Sequence, residues 1–134
     1  MIQKANPQSS KIMVLDEVDD GISHELPPFP PKSESMIVSY NYQLTKADQV
    51  TLSLNDRAFT YGDGLFETIM FRDGKIRFFK DHMRRLKEGM KALGVEGAGG
   101  IKKSIIKHQL KRLLKKNKVD GDARFKIQVW RKNG

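Results

Sequence analysis

The sequence predicts an α+β fold, a small antiparallel sheet with two helices, and three observations carry that prediction. Asp73-Gly74 separates two apolar runs, and an Asp-Gly pair there signals a tight hairpin because both central residues need positive φ. Downstream, two stretches place apolar residues at helical spacing. Near the end, Phe125, Ile127 and Val129 alternate with Lys126 and Gln128, the two-residue period of a half-buried strand.

Taken in order, residues 1–35 read as a disordered or loosely attached tail. They hold the proline run Pro27-Pro28-Phe29-Pro30-Pro31, an acidic stretch from Asp16 to Asp20, and a single short apolar run, Ile12 to Leu15. Such a composition buries too little apolar surface to offset the entropy of ordering it. A folded domain is expected over 36–134. Met36 to Tyr40 and Gln49 to Leu54 are β-prone, and Gly64 to Phe71 is a stronger strand that turns at Asp73-Gly74 into Lys75 to Phe79. Met83, Leu86, Met90 and Leu93 mark the first helix, with Asp81 placed to cap its start and Gly94 to end it. Ile101, Ile105, Leu110, Leu113 and Leu114 mark the second, and Asp120-Gly121-Asp122 turns the chain into the last strand.

The chain has 134 residues, room for one ordinary domain, and its net charge of +9 is unevenly spread. Residues 1–35 carry three lysines against six acidic residues, so residues 36–134 carry +12. The excess is read as a lysine-rich solvated helix in preference to a nucleic-acid surface, because stacking aromatics and a base-reading motif are absent. With no cysteine, disulfides and thiolate metal sites drop out. No apolar run reaches membrane-spanning length and no signal-peptide core opens the chain, so a soluble cytoplasmic protein is expected, without membrane or nucleic acid as partner.

The block Asp56-Arg57-Ala58-Phe59-Thr60-Tyr61-Gly62-Asp63-Gly64-Leu65-Phe66-Glu67-Thr68 is not a dinucleotide fingerprint, since no third glycine opens a helix. Nor is it a P-loop, since no Gly-Lys-Ser/Thr follows. It resembles the Asp-Arg and aromatic-Gly-Asp-Gly pattern of class IV pyridoxal-phosphate-dependent aminotransferases, a family that includes branched-chain and D-amino-acid aminotransferases and aminodeoxychorismate lyase. The resemblance continues through Phe79-Lys80-Asp81-His82-Met83-Arg84-Arg85-Leu86, where the family carries a histidine, an arginine three residues on, and a leucine. It covers residues 36–134 and implies the N-terminal domain of such an enzyme.

The resemblance implies pyridoxal 5'-phosphate as cofactor and Arg85 as the residue that binds its phosphate, for which a guanidinium fork is well suited. It implies that Tyr61, Phe66, Thr68 and Met70 face substrate or cofactor; residues 66, 68 and 70 share one side of a strand. Phe66 and Met70 equally suit plain core packing, and Met70 departs from the arginine common in branched-chain members. Lys126 is a candidate for a substrate carboxylate or a solvent-facing lysine, His82 reads as structural, and Arg84 as a surface charge. No catalytic residue and no metal ligand is nominated: the Schiff-base lysine is expected beyond residue 134, in a C-terminal domain, so this chain alone is expected to be inactive. The implied whole is a homodimeric transaminase of an amino acid and a 2-oxo acid, or a lyase releasing pyruvate from aminodeoxychorismate. The other readings are a basic module binding RNA or an anionic partner, and a fragment with no independent activity.

Overall fold

Residues 9–17 and 36–132 are described by the structure, a computed structural model. One six-stranded sheet organises them, in the order β3-β2-β1-β6-β4-β5, with every neighbouring pair antiparallel. The strands are β1 (Ser9–Glu17), β2 (Ile37–Tyr40), β3 (Gln43–Lys46), β4 (Gly64–Arg72), β5 (Lys75–Ile76) and β6 (Ala123–Arg131). The helices are α1 (Arg57–Tyr61), α2 (Phe79–Ala92) and α3 (Lys103–Lys116). The α+β class and the antiparallel sheet are therefore as expected, with one short helix added to the two foreseen.

The largest departure lies in the expected tail. Its Ser9–Glu17 portion is a strand between β2 and β6, in register with β6 from Ser9↔Arg131 to Glu17↔Ala123. Met13 is buried there. The short apolar run looked too weak to fold, but a strand hydrogen-bonded on both sides draws its stability from distant partners that local composition cannot reveal. Residues 1–8 and 18–35, including the proline run, lie outside the described residues.

Between β2 and β3 the chain turns at Asn41 and Tyr42, both at positive φ (50° and 67°). Tyrosine is rarely found there, so local sequence rules do not mark the turn, and they put the second strand at Gln49 to Leu54. It runs instead over Gln43–Lys46, and residues 50–54 are not strand. The Asp73-Gly74 turn is as expected, with φ of 53° and 73°. Its second arm is short: β5 ends at Ile76 and α2 begins at Phe79. Asp81 consequently lies inside the first turn of α2 and not at its cap, and its carboxylate faces Arg84 at 3.4 Å. Gly94 ends the helix at φ 65°, with the Val95 amide donating to the Met90 carbonyl at 2.8 Å.

Both long helices lie on one face of the sheet. Met83, Leu86 and Met90 of α2 pack there with Ile106, Leu110 and Leu113 of α3, against Met13, Ile69, Phe125 and Ile127. In α3 the inward stripe runs through Ile106, and Ile105 is 41% exposed, one residue off the expected pattern. Alternation then decides the other face. In β4, Glu67 and Ile69 are buried toward the helices while Phe66 and Thr68 are exposed, and in β6 Phe125 and Ile127 are buried while Arg124 and Lys126 are exposed. Among the described residues, neither long helix packs across this second face; the short α1 and the residues before it lie over its Phe66, Gln128 and Trp130 end.

Candidate functional site

The block from Asp56 to Gly64 is first a structural joint. Asp56 precedes α1 and spends its carboxylate on the Trp130 indole, whose Nε1 donates to Oδ2 at 3.0 Å. Asp63 accepts from Arg57 Nε at 2.6 Å and from Arg131 Nη1 at 3.4 Å. Arg131 also donates to the Leu93 and Gly94 carbonyls at 2.8 Å each, satisfying the C-terminal end of α2. Two glycines are required by geometry. Gly62 ends α1 at φ 69°, and a Cβ on Gly64 would lie 3.0 Å from both Trp130 Cβ and the Val129 carbonyl oxygen. The joint fixes where β4 starts, and so which of its residues face each way.

Beyond the joint, β4 and α2 bring a carboxylate, a guanidinium and an imidazole together. Glu67, pointing to the helix side, receives Arg85 Nε on Oε1 at 3.2 Å and Arg85 Nη2 on Oε2 at 2.7 Å. His82 Nδ1 approaches the same Oε2 at 2.6 Å, as expected of an imidazole N–H donating to a carboxylate. His82 and Arg85 reach one acceptor because three residues on a helix return to nearly the same strip. Burial alone would raise the Glu67 pKa, but the hydrogen bonds and charges of Arg85 and His82 outweigh it and hold the carboxyl below its ordinary value. Glu67 in turn raises the pKa of Arg85. Glu67 is 8% exposed, whereas the Arg85 side chain is 62% exposed, and Nη1 of Arg85 has no protein partner among the described residues. Neighbouring Arg84 is an exposed charge paired with Asp81.

Of the residues singled out as pocket-lining, Phe66, Thr68 and Met70 fall in two neighbouring hollows. A cavity of about 580 Å³ lies between residues 52–62 and the sheet, lined by Leu54, Phe59, Phe66 and Gln128 among others. A smaller cleft of about 260 Å³ is lined by Thr68, Met70, Arg77, Phe78 and His82. Lys126 pairs with Thr68 across the strands and holds its ammonium 4.7 Å from the Phe66 ring centre, between the two. Tyr61 stands apart, 70% exposed, beneath the Arg57 guanidinium at 4.6 Å. Met70 is only part-buried. His82 joins the two sides, since it lines the smaller cleft and bonds Glu67.

Glu67 is the residue that sequence reasoning passed over as a site. A signal existed: it is a lone acid on the inward-facing register of an apolar strand, one position from Phe66 and two from Ile69. Such an acid needs cations to receive it. Among the described residues no cluster of three or more His, Cys, Asp or Glu could hold a metal ion, and no helix is long and apolar enough to cross a membrane.

Comparison with known proteins identifies the family. The model of the family described as amino-transferase class IV matches residues 64–134. D-alanine aminotransferase of Staphylococcus epidermidis is 30% identical over 82 residues, 61% of this chain and 28% of that protein. Aminodeoxychorismate lyase of Bacillus subtilis is 31% identical over 94 residues, 69% of this chain and 31% of that protein. The chain thus spans about a third of the length of the curated relatives it matches. Among solved structures, the branched-chain aminotransferase of the archaeon Thermoproteus uzoniensis, with norvaline, superposes with a TM-score of 0.54 at 16% identity. That likeness covers 67% of this chain and 38% of that one and speaks to the fold alone. The chain belongs to the class IV aminotransferase family.

Proposed function

We propose that this chain forms the phosphate-anchoring wall of a pyridoxal-phosphate-dependent aminotransferase that acts on an amino acid and a 2-oxo acid. The observation that carries this reading is the clamp on Arg85. Glu67 holds the Nε and Nη2 edge of the guanidinium, so the plane is fixed while the remaining donors face outward. A dianionic phosphate fits the donors that Glu67 leaves unused, Nη1 among them, and a cation already oriented loses less freedom on binding than a freely rotating one. The cofactor, when bound, would supply the electron sink for chemistry at the substrate α-carbon. The chain's own residues would do the positioning. Arg85 would hold the phosphate, and His82 and Glu67 would hold Arg85. Thr68 and Met70 would shape the adjoining cleft, Phe66 would exclude water from the face beside it, and Lys126 would meet a substrate carboxylate.

A second reading, aminodeoxychorismate lyase, is favoured by the comparable match to the Bacillus subtilis enzyme at 31% identity. Both readings use Arg85 in the same way. The whole enzyme is read as cytoplasmic and as a homodimer, and the exposed apolar side chains of Leu54, Phe59 and Phe66 around the larger cavity support the pairing. Phosphorus NMR of pyridoxal phosphate titrated with the protein tests the anchor: the resonance is expected to shift with the unaltered chain and to stay put with Arg85→Ala. An equal shift with both would remove Arg85 from the proposal.

A further inference from the structure

The basic excess is concentrated on a surface that the cofactor reading does not use. Between residues 97 and 119 the sequence holds eight lysines and arginines and not one aspartate or glutamate. All eight are exposed, and none forms a salt bridge among the described residues. Lys103, Lys107, Lys111 and Lys115 follow one another at four-residue spacing along α3. Each neighbouring pair therefore sets like charges one turn apart, which weakens a helix. A helix serving only to cover the sheet would be more stable with glutamates at some of those places. The inward stripe of Ile106, Leu110 and Leu113 already supplies the packing, so the lysine strip contributes nothing to the core.

The strip also borders a concavity. A groove of about 340 Å³ runs between α3 and the β4–β5 hairpin, floored by Phe71 and Ile76, with Lys75 on one wall and Lys107 and Lys111 on the other. Lys107 lies 5.9 Å from the Phe79 ring centre, which supports its stem at the rim. Cations from two elements converging on a groove suit a ridge of negative charge. They suit a flat bilayer less well, and α3 has no apolar face left to insert, because its apolar stripe is buried in the core. The absence of exposed aromatics along this strip argues against base stacking and leaves contact with the sugar-phosphate backbone intact. Lysines dominate the strip, and they meet phosphate as point charges without the bidentate geometry that reads bases.

We propose that α3 and the Lys75 hairpin form a sequence-independent binding surface for the phosphate backbone of a nucleic-acid duplex. The helix is about 21 Å long at about 1.5 Å per residue, enough to follow several phosphates of one strand. The surface does not involve Arg85 and stands or falls independently of the cofactor reading. The test is fluorescence anisotropy of the full chain with labelled RNA and DNA duplexes of unrelated sequence, over a series of salt concentrations. Binding is expected to be equal for different sequences and to weaken with salt by about −0.9 log units per log unit of salt for each phosphate contacted. The Lys107→Glu/Lys111→Glu variant is expected to bind at least about tenfold more weakly, with the salt slope reduced by about two. Lys107→Arg/Lys111→Arg is expected to retain binding, and circular dichroism of all three proteins reports whether the fold is kept. Absent binding at low salt, equal binding by the glutamate variant with its fold intact, or tighter binding to phosphatidylserine vesicles than to either duplex would overturn the proposal.

Discussion

Glu67 shows how one side chain can decide a site. It is a buried carboxylate on a strand whose other inward neighbours are apolar, and it is stable there because Arg85 and His82 share its charge. Its folded-state pKa is lowered, so its contribution to stability is fully present above the ordinary carboxylate range. That contribution is lost as pH falls through the lowered value. Acid titration of stability should therefore be steeper for the unaltered protein than for Glu67→Gln; equal slopes would mean that the cluster contributes little to folding. A second residue-scale test concerns the joint. Asp56→Ala leaves the buried Trp130 indole N–H without its acceptor, and a loss of about 1–3 kcal/mol in denaturant unfolding is expected. The Asp56-Arg57 motif was readable from the chain itself. Trp130, the partner of Asp56, and Arg131, the partner of Asp63, were not, because they lie about seventy residues away and no local pattern links them.

At the scale of elements, legibility followed the range of the forces involved. The Asp73-Gly74 hairpin, α2 and β6 are set by local φ preferences and by periodicity, and all three could be read directly. β1 could not, since its evidence is its pairing with β2 and β6. β3 was displaced because Tyr42 occupies a left-handed position that sequence rules reserve for glycine or asparagine. The candidate site divides in the same way: Arg85 was marked by the family motif it shares and His82 was read only as structural, while Glu67 emerged only once β4 was laid against α2. One contact that no pattern announced is Asn117, just after α3, whose side chain both accepts from the Ile37 amide at 2.8 Å and donates to the Ile37 carbonyl at 2.9 Å. It ties the end of α3 to the start of β2. Asn117→Ala is expected to cost about 1–3 kcal/mol of stability, and a thermal unfolding midpoint unchanged from the parent would contradict that role. Leu110→Ala, in the packed stripe of the same helix, should cost more, about 2–5 kcal/mol.

The described residues form a sheet with one face covered by both long helices and the other largely open, and the two faces divide the work. The covered face holds the chain together. The open face carries Phe66, Thr68 and Lys126, and the edge where α2 meets β4 presents Arg85 beside it. On this account the domain is a platform on which an anion is held in place, with Glu67 fixing the orientation of the residue that holds it. Calorimetric titration with pyridoxal phosphate and with pyridoxal, which lacks the phosphate, tests that claim most directly. Tighter binding of the phosphorylated compound is predicted, with the preference abolished in Arg85→Ala and reduced in Glu67→Gln. Equal affinity for the two compounds, or a preference that survives Arg85→Ala, would contradict it.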